Sequence, residues 1–435
     1  MSAYQTPGEQ DLAPAAALRP GESIVNRWCR ATLISRLQAL RYGYLVLRED
    51  GVVQGFGDSG SELSVTIDVV SSQFYRQVLF GGTVGSGEAY MDGLWHCSDL
   101  TALVRIVLIN SEVLAGLDSG WGRLTMPLHR LYHLVRRNTR TGSRENIAAH
   151  YDLGNDFYSL FLDSTMAYSC GLFTSEQCSL KEASLNKFRR ICEMLELKDT
   201  DHLLEIGTGW GGFAAYAAAN YGCRVTTVTI SREQYSLARE RIAQGKLDNQ
   251  VTVELQDYRD VRGSFDKLVS IEMIEAVGHQ YFDTFFQCCS NLLKPTGRML
   301  LQAITIRDHL YEAYLKEVDF IRRYIFPGAC LPSLATIMQS VAKTTDMTVV
   351  QLEDIAPHYA RTLNVWRQRF MDRLAEVRKL GKSERFIRMW EFYLCYCEAG
   401  FLERHLGDIQ VVFAKPAARP PLKYERKGKG EVPAS

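Results

Sequence analysis

Leu204-Glu205-Ile206-Gly207-Thr208-Gly209-Trp210-Gly211-Gly212 is the stretch that decides the fold. The residues leading into it, HLLEIG, read as a buried strand, and FAAYAAANYG after it reads as a helix. Glycine between the two permits a tight turn and lets the backbone come close to a ligand. Taken literally, Gly207, Gly209 and Gly212 fit G-x-G-x-x-G, which makes a nicotinamide dehydrogenase a competing reading. Two features oppose it. Glu205 precedes the first glycine by two, and the following strand ends in Thr229, Ile230 and Ser231, with no acid to hold a ribose.

Downstream, strands and helices alternate. CRVTTVTI is a second strand, REQYSLARERIAQ a second helix, and VTVELQD, FDKLVSIEM and GRMLLQAITI are strands three to five. The helix YFDTFFQCCSNLL ends at a Lys294–Gly297 turn before the fifth strand. This alternation argues for an α/β fold built on a parallel sheet. A mainly helical insertion, Asp308–Ala399, precedes a last strand, IQVVFAKP. Its aromatic residues, among them Tyr311, Tyr324, Trp366 and Trp390, suit a plain core and the cover of an acyl tunnel equally. With Asp257-Tyr258 placed after strand three, Gly207, Gly209 and Gly211 fit the E/D-x-G-x-G-x-G loop of class I S-adenosylmethionine methyltransferases, whose sheet is Rossmann-like.

Outside this region, residues 1–20 read as a loose leader and 21–119 as a small N-terminal α+β domain. In that domain SELSVTIDVV is a strand, SSQFYRQVLFGG a short helix ending at glycine, and LTALVRIVLIN a buried helix. Residues 120–143 form a basic amphipathic linker helix. Trp121, Leu124, Leu128, Leu131 and Val135 recur at helical spacing, with Arg130, Arg137 and Arg140 among them and no acidic residue. The catalytic domain spans 144–415, and residues 416–435 are a basic, disordered tail.

Composition narrows the classes. Fifty basic residues balance fifty acidic ones in 435, so a uniformly basic nucleic-acid binder is excluded. The 46% hydrophobic content excludes disorder as the main state. The 11 cysteines are scattered and form no Cys-x-x-Cys pair, which implies buried thiols in a reducing cytoplasm and no metal site. The chain shows no signal peptide and no run of about twenty apolar residues. Contact with a bilayer would therefore be peripheral, on the cytoplasmic face.

Longer motifs carry a specific resemblance. His150-Tyr151-Asp152-Leu153-Gly154-Asn155-Asp156-Phe157-Tyr158 is followed by Met166-Ala167-Tyr168-Ser169-Cys170-Gly171, then by LLEIGTGWGGFA, VTISREQ, LQDYRD, SIEMIEAVG and YIFPGACLPS. Upstream, FGGTVGSGEAYMDGLWHCSDL continues the match, so it covers roughly residues 60–415. In this order the motifs closely resemble cyclopropane-fatty-acyl-phospholipid synthases. The resemblance implies transfer of a methylene from S-adenosylmethionine to the cis double bond of a phospholipid acyl chain. It implies a bicarbonate ion as the base that removes a proton from the new methyl group. It also implies a homodimer.

Residue by residue, the resemblance places Cys170, Glu275 and Tyr359 in the catalytic pocket, with the Cys170 backbone helping to hold the anion. Gln302 stands where many relatives have histidine; it can donate a hydrogen bond to an anion but cannot titrate as a base. For S-adenosylmethionine, Tyr151, Tyr168 and Ser169 are expected over the ligand and Gly207 and Gly209 beneath it. Thr229, Ser231 and Gln234 stand in for the ribose acid, and Asp257 and Tyr258 lie near the adenine. A methyl-branching or methylenating sibling reaction, a small-molecule O- or N-methyltransferase and a non-catalytic lipid-binding protein remain as alternatives.

Overall fold

The computed structural model describes residues 23–114 and 153–419. These residues divide into two units: 23–114 with 383–392, and 153–382 with 393–419.

The first unit contains α1 (Ile24–Leu37), β1 (Tyr44–Glu49), β2 (Val52–Gly57), β3 (Ser64–Val69), α2 (Gln73–Met91), β4 (Trp95–Cys97) and α3 (Leu100–Ile109). Its sheet runs β2-β1-β3-β4, with β1 and β3 parallel and the other pairs antiparallel. Val65, Ile67 and Val69 alternate inward along β3, the period-two pattern read from SELSVTIDVV. The helix expected to stop at its glycine pair does not stop. Gly82 (φ 53°, ψ −134°) breaks it, and helix then resumes to Met91 because Ala89, Tyr90 and Met91 still have core to cover.

The second unit carries α4 (Leu180–Met194), β5 (His202–Ile206), α5 (Gly212–Tyr221), β6 (Arg224–Thr229), α6 (Arg232–Gln244), β7 (Val251–Leu255), β8 (Phe265–Ile271), α7 (Phe282–Leu292) and β9 (Leu293–Ile306). They are followed by α8 (Leu334–Thr344), β10 (Thr348–Asp354), α9 (Ala356–Asp372), α10 (Glu384–Leu402) and β11 (Leu406–Ala414); only residues 393–402 of α10 count with this unit. The seven-stranded sheet is ordered β10-β11-β9-β8-β5-β6-β7. Strands β5 to β9 pair in parallel, and β11 and β10 add on antiparallel. This is the Rossmann-like α/β sheet expected of the class.

Side chains alternate across the sheet, so neighbouring residues feed opposite cores. Leu204, Leu268, Leu301 and Val411 join α7 and α8 on one face. Leu203, Val269, Leu300 and Val412 join α4 and α5 on the other. Near-continuous apolar strands follow from burial on both faces. Because β5 is flanked by β6 and β8, strand order reverses there and a crevice opens at the carboxyl ends.

Two sequence expectations change. Lys294–Gly297 lies within β9 rather than before it. The pairing jumps from Phe265↔Leu293 to Lys267↔Arg298, so the Lys-Pro-Thr-Gly residues bulge out of an otherwise continuous strand. Strand β10, inside the stretch read as mainly helical, was missed. All seven of its residues are exposed on a sheet edge, so it has no buried face to leave an alternating signature. The leader 1–20, the linker helix 120–143 and nearly all of the tail 416–435 lie outside the described residues.

Candidate active site

The glycine loop leaves β5 at the crevice. Gly207 has φ +100° and Gly209 φ +51°, backbone that L-residues rarely adopt, and a Cβ at Gly209 would meet nothing within 4 Å among the described residues. At Gly212, by contrast, a Cβ would lie 2.5 Å from the Thr165 carbonyl. Helix α5 therefore packs its first turn against the segment that leads to Tyr168. Glu205, buried beneath the loop, accepts a hydrogen bond from Thr227 (2.6 Å), and burial raises its carboxyl to about 8. Trp210 turns inward and donates to Asn155 (2.7 Å), and its ring lies 5.0 Å from that of Tyr158. The Asn155–Tyr158 end of the first long motif thus covers the glycine loop. Tyr151 lies outside the described residues.

The other positions expected around S-adenosylmethionine sit at successive strand ends. After β6, Thr229 donates to Gln234 Oε1 (2.9 Å), the Ser231 backbone N–H donates to Thr229 Oγ1 (3.1 Å), and Ser231 caps α6. After β7, Asp257 is held by Arg259 through backbone N–H (3.0 Å), Nε (2.8 Å) and Nη2 (2.6 Å). Tyr258 packs edge-on against Phe285. An open, left-handed loop, neutral hydrogen-bonding groups at the second strand end and an acid at the third together fit the cofactor.

Beside the crevice lies a second, denser cluster. Glu272 follows β8 directly and has φ +48°. Its Oε1 accepts from the Cys170 backbone N–H (2.9 Å) and from Gln302 Nε2 (2.6 Å), and its Oε2 accepts from the Tyr359 hydroxyl (2.6 Å). Gln302, fully buried in β9, gives a further bond to Asp408 Oδ2 (3.1 Å). Glu275 Oε1 accepts from the Ile304 backbone N–H (2.7 Å), while its buried Oε2 has no hydrogen-bond partner among the described residues. Lys187 is fully buried and donates to Ser169 Oγ.

The electrostatics follow from burying three carboxyls with one ammonium. Burial, then the neighbouring Glu272 charge, pushes Glu275 up to about 8. The same causes raise Asp408 well above the usual carboxylate range. Burial lowers Lys187, and the surrounding acids, Glu272 foremost, oppose that. The Cys170 thiol is fully buried and raised well above its ordinary value, so the backbone of this residue, not its sulfur, is the group that binds.

Aromatic rings wall the site. Tyr168 lies 5.2 Å from Trp366 and 5.3 Å from Tyr158, and its hydroxyl is 2.9 Å from that of Tyr393. Tyr359 stacks on Phe401 at 4.4 Å, and Phe326 meets both Tyr168 (6.3 Å) and Tyr393 (6.1 Å). Most of these rings come from the helical insertion, which therefore contributes to the site as well as to core.

Cys170, Gln302 and Tyr359 thus converge, with Glu275 close enough to feel the same charge, and Gly207, Gly209, Thr229, Ser231, Gln234, Asp257 and Tyr258 line the strand ends. The bicarbonate expectation does not fit. The donors that would hold that ion are engaged by the chain's own Glu272 carboxylate. Three cluster members escaped sequence reading. Lys187 occupies the apolar stripe of α4 (Leu180, Ala183, Ser184, Lys187, Ile191), a misplaced charge that periodicity could have flagged. Asp408 heads the last apolar strand, and Glu272 stands in the SIEMIEAVG motif with no local signal that sets it apart.

Residues 138–411 match the family described as mycolic acid cyclopropane synthetase. The chain is 37% identical over 422 residues to tuberculostearic acid methyltransferase UfaA1 of Mycobacterium tuberculosis, covering 93% of this chain and 96% of that one. It is 38% identical over 352 residues to cyclopropane-fatty-acyl-phospholipid synthase of Escherichia coli K12, covering 80% and 87%. A solved structure of mycolic acid cyclopropane synthase CmaA1 complexed with SAH and CTAB aligns with a TM-score of 0.59 and 30% identity, covering 62% of this chain and 98% of that one. On these matches the chain belongs to the mycolic acid cyclopropane synthetase family of S-adenosylmethionine-dependent methyltransferases.

Proposed function

We propose that the protein is a cyclopropane fatty acid synthase acting on the cis double bond of phospholipid acyl chains. Bound S-adenosylmethionine supplies an electrophilic methyl carbon. The chain's residues supply what an alkene, a poor nucleophile, lacks. Tyr168, Ser169, the glycine loop and the Thr229–Gln234 group hold the reactants in register, a task that can lower a barrier by roughly 7–11 kcal/mol. Tyr168, Phe326, Tyr359, Trp366 and Tyr393 exclude water and turn π-electron density toward the cation that forms on the acyl chain. The observation that carries this reading is the acid cluster under an aromatic wall. Transfer to an oxygen or nitrogen atom needs no such wall, and a non-catalytic lipid carrier needs no partnerless carboxyl oxygen.

A second reading is favoured by the relative that spans 93% of the chain, which is named a methyltransferase. In it the new carbon stays as a methyl or methylene branch on the acyl chain. One experiment separates the readings. Incubate the protein with cis-monounsaturated phospholipid vesicles and labelled S-adenosylmethionine, then examine the released fatty acids by mass and proton NMR. Upfield ring protons with loss of the olefin support ring closure; a surviving or relocated olefin supports branching; no label in lipid defeats both.

We further propose that the enzyme works docked on the cytoplasmic face of the membrane, as a homodimer. Support comes from the basic residues of 120–144 and from the phospholipid named for the Escherichia coli relative. Among the described residues no helix is long and apolar enough to cross a membrane. Docking through that charge predicts vesicle binding that weakens with salt and with Arg136/Arg137→Glu, at about 1 kcal/mol per basic residue close to the surface.

A further inference from the structure

The strongest anomaly at the site is Glu272. A residue with a side chain at φ +48° carries strain of about 1 kcal/mol or more, which glycine would relieve. The chain keeps a glutamate there and surrounds its carboxylate with three donors, from Cys170, Gln302 and Tyr359. Gln302 is locked in the donating orientation. Gln410 Nε2 donates to Gln302 Oε1 (3.0 Å), and Arg190 Nε in turn fixes Gln410 (3.1 Å), so the Gln302 amide nitrogen must face Glu272 and Asp408.

We propose that Glu272 replaces bicarbonate in this enzyme: its carboxylate takes the proton that leaves the new methyl group as the ring closes. This rests on the function proposed above. The acceptor atom is Oε2. Oε1 already accepts two bonds, whereas among the described residues Oε2 accepts only the Tyr359 hydroxyl and keeps a lone pair. The step balances without an external base. The alkene π pair forms a bond to the methyl carbon, whose bond to sulfur breaks, leaving a neutral thioether and a cationic acyl carbon. A C–H bond of the added methyl then breaks. Its electron pair closes the ring, its proton goes to Glu272 Oε2, and solvent later removes it. Burial raises the Glu272 carboxyl above its ordinary range, against the pull of Lys187, Tyr359, Cys170 and Gln302, which makes it a stronger base than a free carboxylate.

The test compares the full-length wild type with Glu272→Gly and Glu272→Gln in carbonate-depleted buffer, with and without added bicarbonate. Wild-type turnover should not respond. Both variants should lose about 10²–10⁴-fold in rate. Bicarbonate should rescue Glu272→Gly, whose emptied cradle admits the ion, and not Glu272→Gln, whose amide fills it. A readout independent of turnover is ¹³C-bicarbonate binding to ligand-free protein by NMR, absent in wild type and present in Glu272→Gly. The Tm of Glu272→Gly should fall despite the relieved strain, because the donors from Cys170, Gln302 and Tyr359 lose their acceptor, and should recover when bicarbonate is added. Wild-type activity that falls on carbonate depletion, bicarbonate binding to wild type, or a fully active Glu272→Gly without bicarbonate would overturn the proposal. Failure to label any lipid would instead count against the proposed function and leave the binding comparison standing.

Discussion

The hydroxyls of Tyr168 and Tyr393 meet at 2.9 Å, joining the motif segment before α4 to the second half of α10. Because the bond joins a buried phenol to a half-buried one, its loss should cost about 1 kcal/mol. Tyr168→Phe and Tyr393→Phe should each show that loss in urea denaturation. The double variant should be scarcely worse than either single one, because the same bond is removed. Additive losses would mean that the hydroxyls act independently.

Lys187 is a buried cation facing acids, so its removal strands charge rather than merely a contact. Lys187→Met is expected to destabilise the protein by about 3 kcal/mol. Adding Asp408→Asn should recover part of that, because one acid is then neutral. The check is a double-mutant cycle by chemical denaturation. An unchanged midpoint for Lys187→Met would show that the cluster is neutral without it.

Glu275 gives a pH dependence of defined sign. Its folded carboxyl is raised to about 8, above the ordinary value near 4.5, so the native state holds a proton that the unfolded chain releases. Its contribution to stability is complete below pH 4.5 and declines as pH climbs toward 8. Glu275→Gln keeps an acceptor for Ile304 and removes the titration. Thermal melts should therefore show the variant gaining on wild type between pH 5 and pH 8. A constant difference across that range would contradict the raised value.

The two loop glycines should separate. At Gly207 a side chain meets Met273 at 3.2 Å with φ +100°, so Gly207→Ala should lower both Tm and affinity for S-adenosylhomocysteine. At Gly209 the φ of +51° is tolerable and the space is open. Gly209→Ala should fold with a loss of about 1 kcal/mol and show its main defect in calorimetric binding of that product. Equal affinities for Gly209→Ala and wild type would place the ligand elsewhere.

The sheet was legible because β5, β6, β8 and β9 are buried on both faces and separated by glycine and polar turns. The same reasoning failed at β10, where the strand faces water throughout and its cause is pairing with β11, a long-range event that no local period records. At the site, motif resemblance located Cys170, Gln302 and Tyr359 but assigned them to a diffusible ion. Glu272 was invisible as their partner because the loop, strand and helix that bring Cys170, Gln302 and Tyr359 to it lie far apart in sequence. Lys187 left a readable trace, a charge on an apolar helical stripe, whereas the meaning of Asp408 depends wholly on the strand pairing that sets it against Gln302.

The exposed edge strand β10 also bears on how the protein behaves at high concentration. Its outer side presents unpaired backbone beside Val349, Val350 and Leu352, an invitation to a neighbouring chain. Two features blunt it: a bulge between Val349 and Gln351 twists the strand, and Glu353 and Asp354 are tied to Arg190 and Arg404. Those ion pairs guard solubility, so removing Arg404, which takes no part in fixing Gln410, should promote edge-to-edge assembly before it harms chemistry.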